Sequence, residues 1–194
     1  MSAEATHKAV RQLLSSIGED VDREGLEKTP ARVAELWSYL TSGYAEDPQL
    51  VLRSALFKSE ARDPIFVHDI TYYSVCEHHL LPFFGSCQIA YIPDQVIVGL
   101  SKIVRLVDIF SRRLQVQERM TGQIADTLQE ILKPRGVLVL CEGSHLCMMM
   151  RGVERAQTSV TTLASRGAVE SDEGLRNELR SVLLHRTPVT KALR

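Results

Sequence analysis

The sequence predicts an α+β fold with an antiparallel sheet. Three observations carry this: apolar residues recur at helical spacing at both ends of the chain, β-rich alternation occupies two separate central stretches, and two further helices lie between those stretches. Residues 5–17 place Ala9, Val10, Leu13, Leu14 and Ile17 three and four apart, which predicts a helix. Thr29-Pro30 predicts the start of a second, with the threonine as cap and the proline in the first turn, where its missing N–H costs nothing. Val33, Leu36, Trp37 and Leu40 are its apolar stripe, and Ser42-Gly43 its expected end.

From about residue 64 the period changes to two. Ile65 through Tyr73, then 88–92 and 96–100, are predicted strands, the last two joined by a Pro93-Asp94-Gln95 turn. Ser101 is expected to cap a helix with Ile103, Leu106, Val107, Phe110 and Leu114 as apolar positions. Met120, Ile124, Leu128, Ile131 and Leu132 define the next helix, which Lys133-Pro134-Arg135-Gly136 stops. Strands are predicted at about 137–142, 145–151 and 158–164, followed by a closing helix from Glu170 to His185 with Leu175, Leu179, Val182 and Leu183 on one side.

At 194 residues the chain suffices for one domain with an added helical arm, and it shows no repeat or long linker. Lys+Arg 23 against Asp+Glu 24 leaves a net charge of -1, so no global field draws in nucleic acid or an anionic membrane. Any polyanion must therefore meet a local cluster of cations. The opening Met1-Ser2-Ala3-Glu4-Ala5 lacks the basic start and apolar run of a secretory signal, and apolar runs such as 137–141 are too short to span a bilayer. These features predict a cytoplasmic protein with reduced thiols. Cys87 and Cys141, inside apolar alternation, are expected as small buried hydrophobes.

The densest chemistry lies in Cys76-Glu77-His78-His79 and, far along the chain, His145-Leu146-Cys147. Two thiolates and up to three imidazoles are donors that Zn²⁺ prefers. Cys76 and His79 have the spacing over which a turn brings two side chains to one ion. On a strand, His145, Cys147, Met149 and Arg151 share one face, which sets a guanidinium beyond a metal ligand. Three protein ligands with an open position make a catalytic zinc, and four make a structural one. Elsewhere, Ser101, Lys102 and Arg105 crowd a helix start whose dipole favours anions; by themselves they read as an ordinary basic helix face, and a bound phosphate is the alternative that resolves the conflict. Arg32 repeats the oddity in the first turn after Pro30. Gln115-Val116-Gln117-Glu118-Arg119 is a polar knot between two apolar helices, where Glu118 is either a helix-start carboxylate or an acceptor for a planar ligand with adjacent N–H donors.

Cys-Glu-His-His-Leu-Leu-Pro-Phe at 76–83, Gly-Leu-Ser-Lys at 99–102, Gln-Val-Gln-Glu-Arg at 115–119 and His-Leu-Cys-Met-Met-Met-Arg-Gly at 145–152 together resemble the GTP cyclohydrolase I family, with Thr29-Pro30-Ala31-Arg32 matching its helical entry. The resemblance covers about residues 8–183. It implies a tunnelling fold in which antiparallel sheets and paired helices join edge to edge into an oligomeric β-barrel, a homodecamer with sites at subunit junctions. On that reading, 1–50 form an N-terminal helical arm, 51–186 the catalytic domain and 187–194 an unmatched tail. It implies one Zn²⁺ per subunit on Cys76, His79 and Cys147. GTP is the implied substrate, opened hydrolytically at guanine C8 to release formate and give 7,8-dihydroneopterin triphosphate. His78 and His145 are the implied proton-transfer groups. Glu118 is the implied guanine anchor with Gln117 beside it, and Arg32, Ser101, Lys102, Arg105 and Arg151 the implied triphosphate ligands. Zinc-dependent nucleobase deamination requires His-x-Glu and Pro-Cys-x-x-Cys, which the chain lacks. A non-catalytic zinc-stapled oligomer or nucleotide sensor requires a fully ligated ion.

Overall fold

A computed structural model of the chain describes residues 2–152, 154–155 and 157–185. In chain order the elements are α1 (Ala3–Ser16), α2 (Thr29–Leu40), a 3₁₀ turn (Ser42–Ala45), α3 (Pro48–Arg53), β1 (Leu56–Lys58), β2 (Ile65–Cys76), β3 (Pro82–Ile92) and β4 (Val96–Val98). There follow α4 (Leu100–Ser111), β5 (Leu114–Gln115), α5 (Gln117–Leu132), β6 (Gly136–His145), α6 (Leu146–Met149), β7 (Ser159–Gly167), α7 (Ala168–Ser171) and α8 (Glu173–Leu184). The main sheet has the order β5-β2-β3-β6-β7; its long strands are antiparallel and only the short β5 runs parallel, to β2. The fold is therefore α+β, as predicted.

Alternation along the strands sends side chains to two buried layers. Ile89, Tyr91, Val137, Val139 and Cys141 face α4 and α5, whose Ile103, Leu106, Val107, Met120, Ile124 and Leu128 complete the main core. Ala90, Ile92, Leu138 and Leu140 face the opposite way, onto Val169, Leu179 and Leu183. Burial on both faces explains why 137–141 is apolar without interruption. Cys87 and Cys141 are fully buried and stand opposite one another in the β3–β6 register.

Several local expectations are corrected. Thr29 does not cap α2: it is already helical, the N-cap is Lys28, and the Thr29 hydroxyl turns back to the Gly25 carbonyl. Ser101 likewise lies inside the first turn of α4, whose N-cap is Gly99. The helix ended by Ser42-Gly43 closes at Leu40, and these two residues begin the 3₁₀ turn. The predicted strands at 88–92 and 96–100 do not pair with each other; β4 pairs with β1, a strand absent from the sequence reading. β3 begins at Pro82, because the register with β2 and β6 recruits Pro82, Gly85 and Ser86 despite their poor β-propensity. The stripe on α1 is not buried: Leu13 is 60% exposed and Ile17 66%.

The predicted strand at 145–151 is also replaced. β6 runs unbroken to His145, paired with Phe83, and the chain then turns into α6. Beyond Phe83 the partner strand offers only Pro82, which has no N–H, and Leu-Cys-Met-Met lacks the β-branched residues that favour a strand. His145, Cys147, Met149 and Arg151 therefore do not line one strand face. Residues 186–194, which include the predicted tail, lie outside the described residues.

Candidate metal centre

The β2–β3 connection is a tight turn closed from both sides, with Leu80 N–H donating to the Cys76 carbonyl at 2.8 Å and Cys76 N–H to the Leu81 carbonyl at 2.9 Å. Leu80 takes a left-handed φ of 56°, so this geometry is imposed against local preference. The turn lifts His78 and His79 into solvent while Cys76 stays buried at the strand end. Because β6 lies next to β3, its continuation into α6 delivers Cys147 to the same place. The ligand atoms of Cys76, His79 and Cys147 all lie within 4.8 Å of one another. The cluster survives the loss of the predicted strand because Cys147 lies only two residues past the end of β6, too few for the change of element to carry it away.

Burial and the neighbouring Cys76 thiol push the Cys147 thiol up from its ordinary pKa. Two adjacent thiols cannot both ionise cheaply without a cation between them. Arg151 donates from Nη1 to His79 Nε2 at 2.7 Å, so that nitrogen carries a lone pair. The donor set of two sulfurs and one imidazole fits a tetrahedral Zn²⁺, whose bonds are about 2.0–2.3 Å, after small side-chain shifts.

Behind the ligands a second layer holds the turn and its neighbour. The Glu77 carboxylate pairs with the Arg119 guanidinium, which also donates to the Leu114 carbonyl and the Gln115 Oε1. His145 stacks on Phe83 with ring centroids 4.6 Å apart and planes within 3°. Its Nε2 is 2.9 Å from Gln117 Oε1. Burial lowers the His145 pKa, and the charge of nearby Glu118 opposes that shift. His78 and His79 meet edge to face at 6.3 Å.

The other predicted site residues divide. Glu118 lies exposed in the first turn of α5 on the His145 side. Gln117, expected beside a purine, is 1% exposed, and its amide is spent on Cys141, Val160, Thr162 and His145. Ser101, Lys102 and Arg105 lie at or near the start of α4. The last turn of α4, through Asp108 and Ser111, is the end that shares a cleft with Ser74, Val75 and Pro82 beside the metal turn. A 12-residue helix separates its first and last turns by about 15 Å, so Ser101 and Lys102 lie at the end of α4 away from that cleft. Arg105 is held by Glu46 at 2.7 Å, and Arg32 is exposed in the first turn of α2. Glu77, Phe83 and Arg119 carry no signal of a role in the sequence pattern. Their partners come from cross-strand register and from the helix–turn contact, neither of which has a spacing signal.

The family model described as GTP cyclohydrolase I matches residues 6–184. The chain is 52% identical over 173 residues to GTP cyclohydrolase 1 of Deinococcus radiodurans, covering 89% of this chain and 80% of that protein. It is 49% identical over 176 residues to GTP cyclohydrolase 1 of Helicobacter pylori strain J99, covering 91% and 98%. With the protein of that name from Wolinella succinogenes it shares 47% over 181 residues, covering 93% and 97%. Among solved structures, archaeosine synthase QueF-Like in the apo form aligns with a TM-score of 0.44 and 17% identity over 57% of this chain and 98% of that one, a likeness too distant to bear on the site. The match of 6–184 spans the metal turn, the α5 start and Cys147 alike, and the relatives are identical to this chain at about half of the aligned positions. This chain belongs to the GTP cyclohydrolase I family.

Proposed function

We propose that this protein is a zinc-dependent GTP cyclohydrolase I that opens the guanine imidazole ring of GTP at C8, releases formate and forms 7,8-dihydroneopterin triphosphate. The observation that carries this reading is the convergence of Cys76, His79 and Cys147 beside His145 and Glu118, in a chain matched to the family over 6–184. When bound by those three ligands, Zn²⁺ supplies the Lewis acidity that makes water nucleophilic near neutral pH. Every other contribution belongs to the chain's own side chains.

Glu118 accepts from guanine N1–H and the 2-amino group and sets C8 toward the metal end. Adenine lacks both donors, so it leaves the carboxylate unpaired and is rejected. His78, exposed on the metal turn, protonates N7, which makes C8 electrophilic. His145, held neutral by burial, moves protons on the ribose as that ring opens and the product ring closes. Arg151 exchanges its contact with His79 for a phosphate oxygen. Arg32, Ser101, Lys102 and Arg105 bind the rest of the triphosphate.

The distance from the start of α4 to the metal turn supports a site completed by a second copy, whose Ser101, Lys102 and Arg105 meet this chain's thiols. The exposure of His78, His79, Glu118 and Arg151 in a single chain fits the same arrangement. We assign the tunnelling fold and the homodecameric barrel on this ground together with the family. The test is direct: zinc-loaded protein incubated with GTP should yield equimolar formate and, after oxidation, a fluorescent pterin. Cys147→Ser should lose both metal and turnover. No formate from fully metallated wild-type protein across neutral pH would defeat the assignment.

A further inference from the structure

We propose that Gln117 is a positioning residue that fixes the ring orientation of His145 and holds it as the Nε2–H tautomer, with the lone pair on Nδ1. Its catalytic consequence rests on the cyclohydrolase reading above; its structural content does not. The direction of one amide sets the tautomer. Gln117 Nε2 lies 3.0 Å from the Cys141 carbonyl, 2.9 Å from the Val160 carbonyl and 3.1 Å from Thr162 Oγ1. Backbone carbonyls only accept, so the nitrogen must face them, and a flipped amide would set oxygen against oxygen.

The hydroxyls extend the same logic. Thr121 Oγ1 donates to the Gln117 backbone carbonyl at 2.7 Å, so at its 2.7 Å contact with Thr162 it accepts, and Thr162 is the donor. The Thr162 oxygen then accepts, sharing one of the two Gln117 N–H protons with a carbonyl. Each hydroxyl proton is used once, and the ring of bonds closes in one direction only.

Oε1 therefore points at His145 Nε2, 2.9 Å away, and an amide oxygen accepts. Nε2 carries the proton, and Nδ1 is the lone-pair nitrogen of the neutral ring. Phe83, fully buried and opposite His145 in the register, fixes the ring plane by parallel stacking at 4.6 Å. Gly143, two residues before His145 and so on the same strand face, makes the room. A Cβ there would stand 2.6 Å from Gln117 Oε1 and 2.5 Å from Tyr72 Oη. The absence of a side chain at 143 is thus what lets the amide reach the imidazole.

The experiment is nitrogen NMR of the full-length protein labelled in histidine, sedimented for solid-state measurement, with and without Zn²⁺. The His145 signal is assigned by its loss in His145→Gln. Wild type should show Nε2–H; Nδ1–H would overturn the proposal whatever the enzyme does. Gln117→Met should give a mixture of tautomers and lower kcat about 10²-fold while KM stays within about twofold and zinc per chain is retained. Unchanged kcat, or parallel loss of zinc and assembly, would overturn the positioning role. If Gln117→Met does not fold, Gly143→Ala decides: it should admit the Nδ1–H form, and a pure Nε2–H spectrum with full turnover would sink the idea. Should wild type lack GTP turnover altogether, the cyclohydrolase reading fails while the tautomer is still measured.

Discussion

Glu77, the residue after Cys76, and Arg119, the residue after Glu118, are joined by an ion pair that ties the metal turn to the start of α5. The guanidinium holds the Glu77 carboxyl below its ordinary pKa, so the pair is formed at neutral pH and is lost only as pH falls through that lowered value. It links the two places where metal and purine are proposed to bind. Arg119→Ala should weaken zinc binding about tenfold, as loss of an outer contact to a ligand-bearing turn does. Competition with a chromophoric chelator measures this. Adding Glu77→Gln should cause little further loss, since one interaction has already gone; full additivity would mean the pair does not act as a unit.

Glu118→Gln should separate substrate recognition from metal binding. The amide offers one acceptor and one donor where guanine presents two donors, and kcat/KM for GTP should fall about 10²-fold. Zinc per chain, measured by elemental analysis, should not change. Equal loss of zinc and turnover would make Glu118 structural.

Gly85 stands opposite Gly143 in the β3–β6 pair, and a Cβ on it would lie 1.8 Å from the Glu142 carbonyl oxygen. Backbone atoms cannot rotate aside as a side-chain tip can. Gly85→Ala should therefore cost about 3 kcal/mol or more and parts β3 from β6 next to the metal turn. A thermal melt near that of wild type would show that the strands shift freely.

Lys133 ends α5 in a left-handed conformation, φ 46° and ψ 47°, with an exposed side chain. Glycine is the usual residue there because it has no Cβ to strain. Lys133→Gly should stabilise the protein by about 1 kcal/mol, seen as a higher melting temperature with unchanged turnover. A lower melting temperature would mean that the lysine side chain makes a stabilising contact.

The layers and the chemistry were legible in the residues alone. Helical spacing marked Ile103, Leu106 and Val107 on α4 and Ile124, Leu128 and Ile131 on α5, and these are buried, because burial of a stripe is a local property of a repeating pattern. Cys76, His79 and Cys147 were legible as donors from residue type alone, and they meet. How they meet depends on strand pairing. Cys147 arrives on a helical turn because β6 runs out of partner at Phe83, beside Pro82. β4 leaves β3 for β1, and a β-sheet register has no trace in the spacing of either strand alone. Gln117, a polar residue at a helix start, gave no sign that it would be enclosed by two carbonyls, a threonine and an imidazole. Those partners come from β6 and β7, and burial of a polar group is settled by what surrounds it in space.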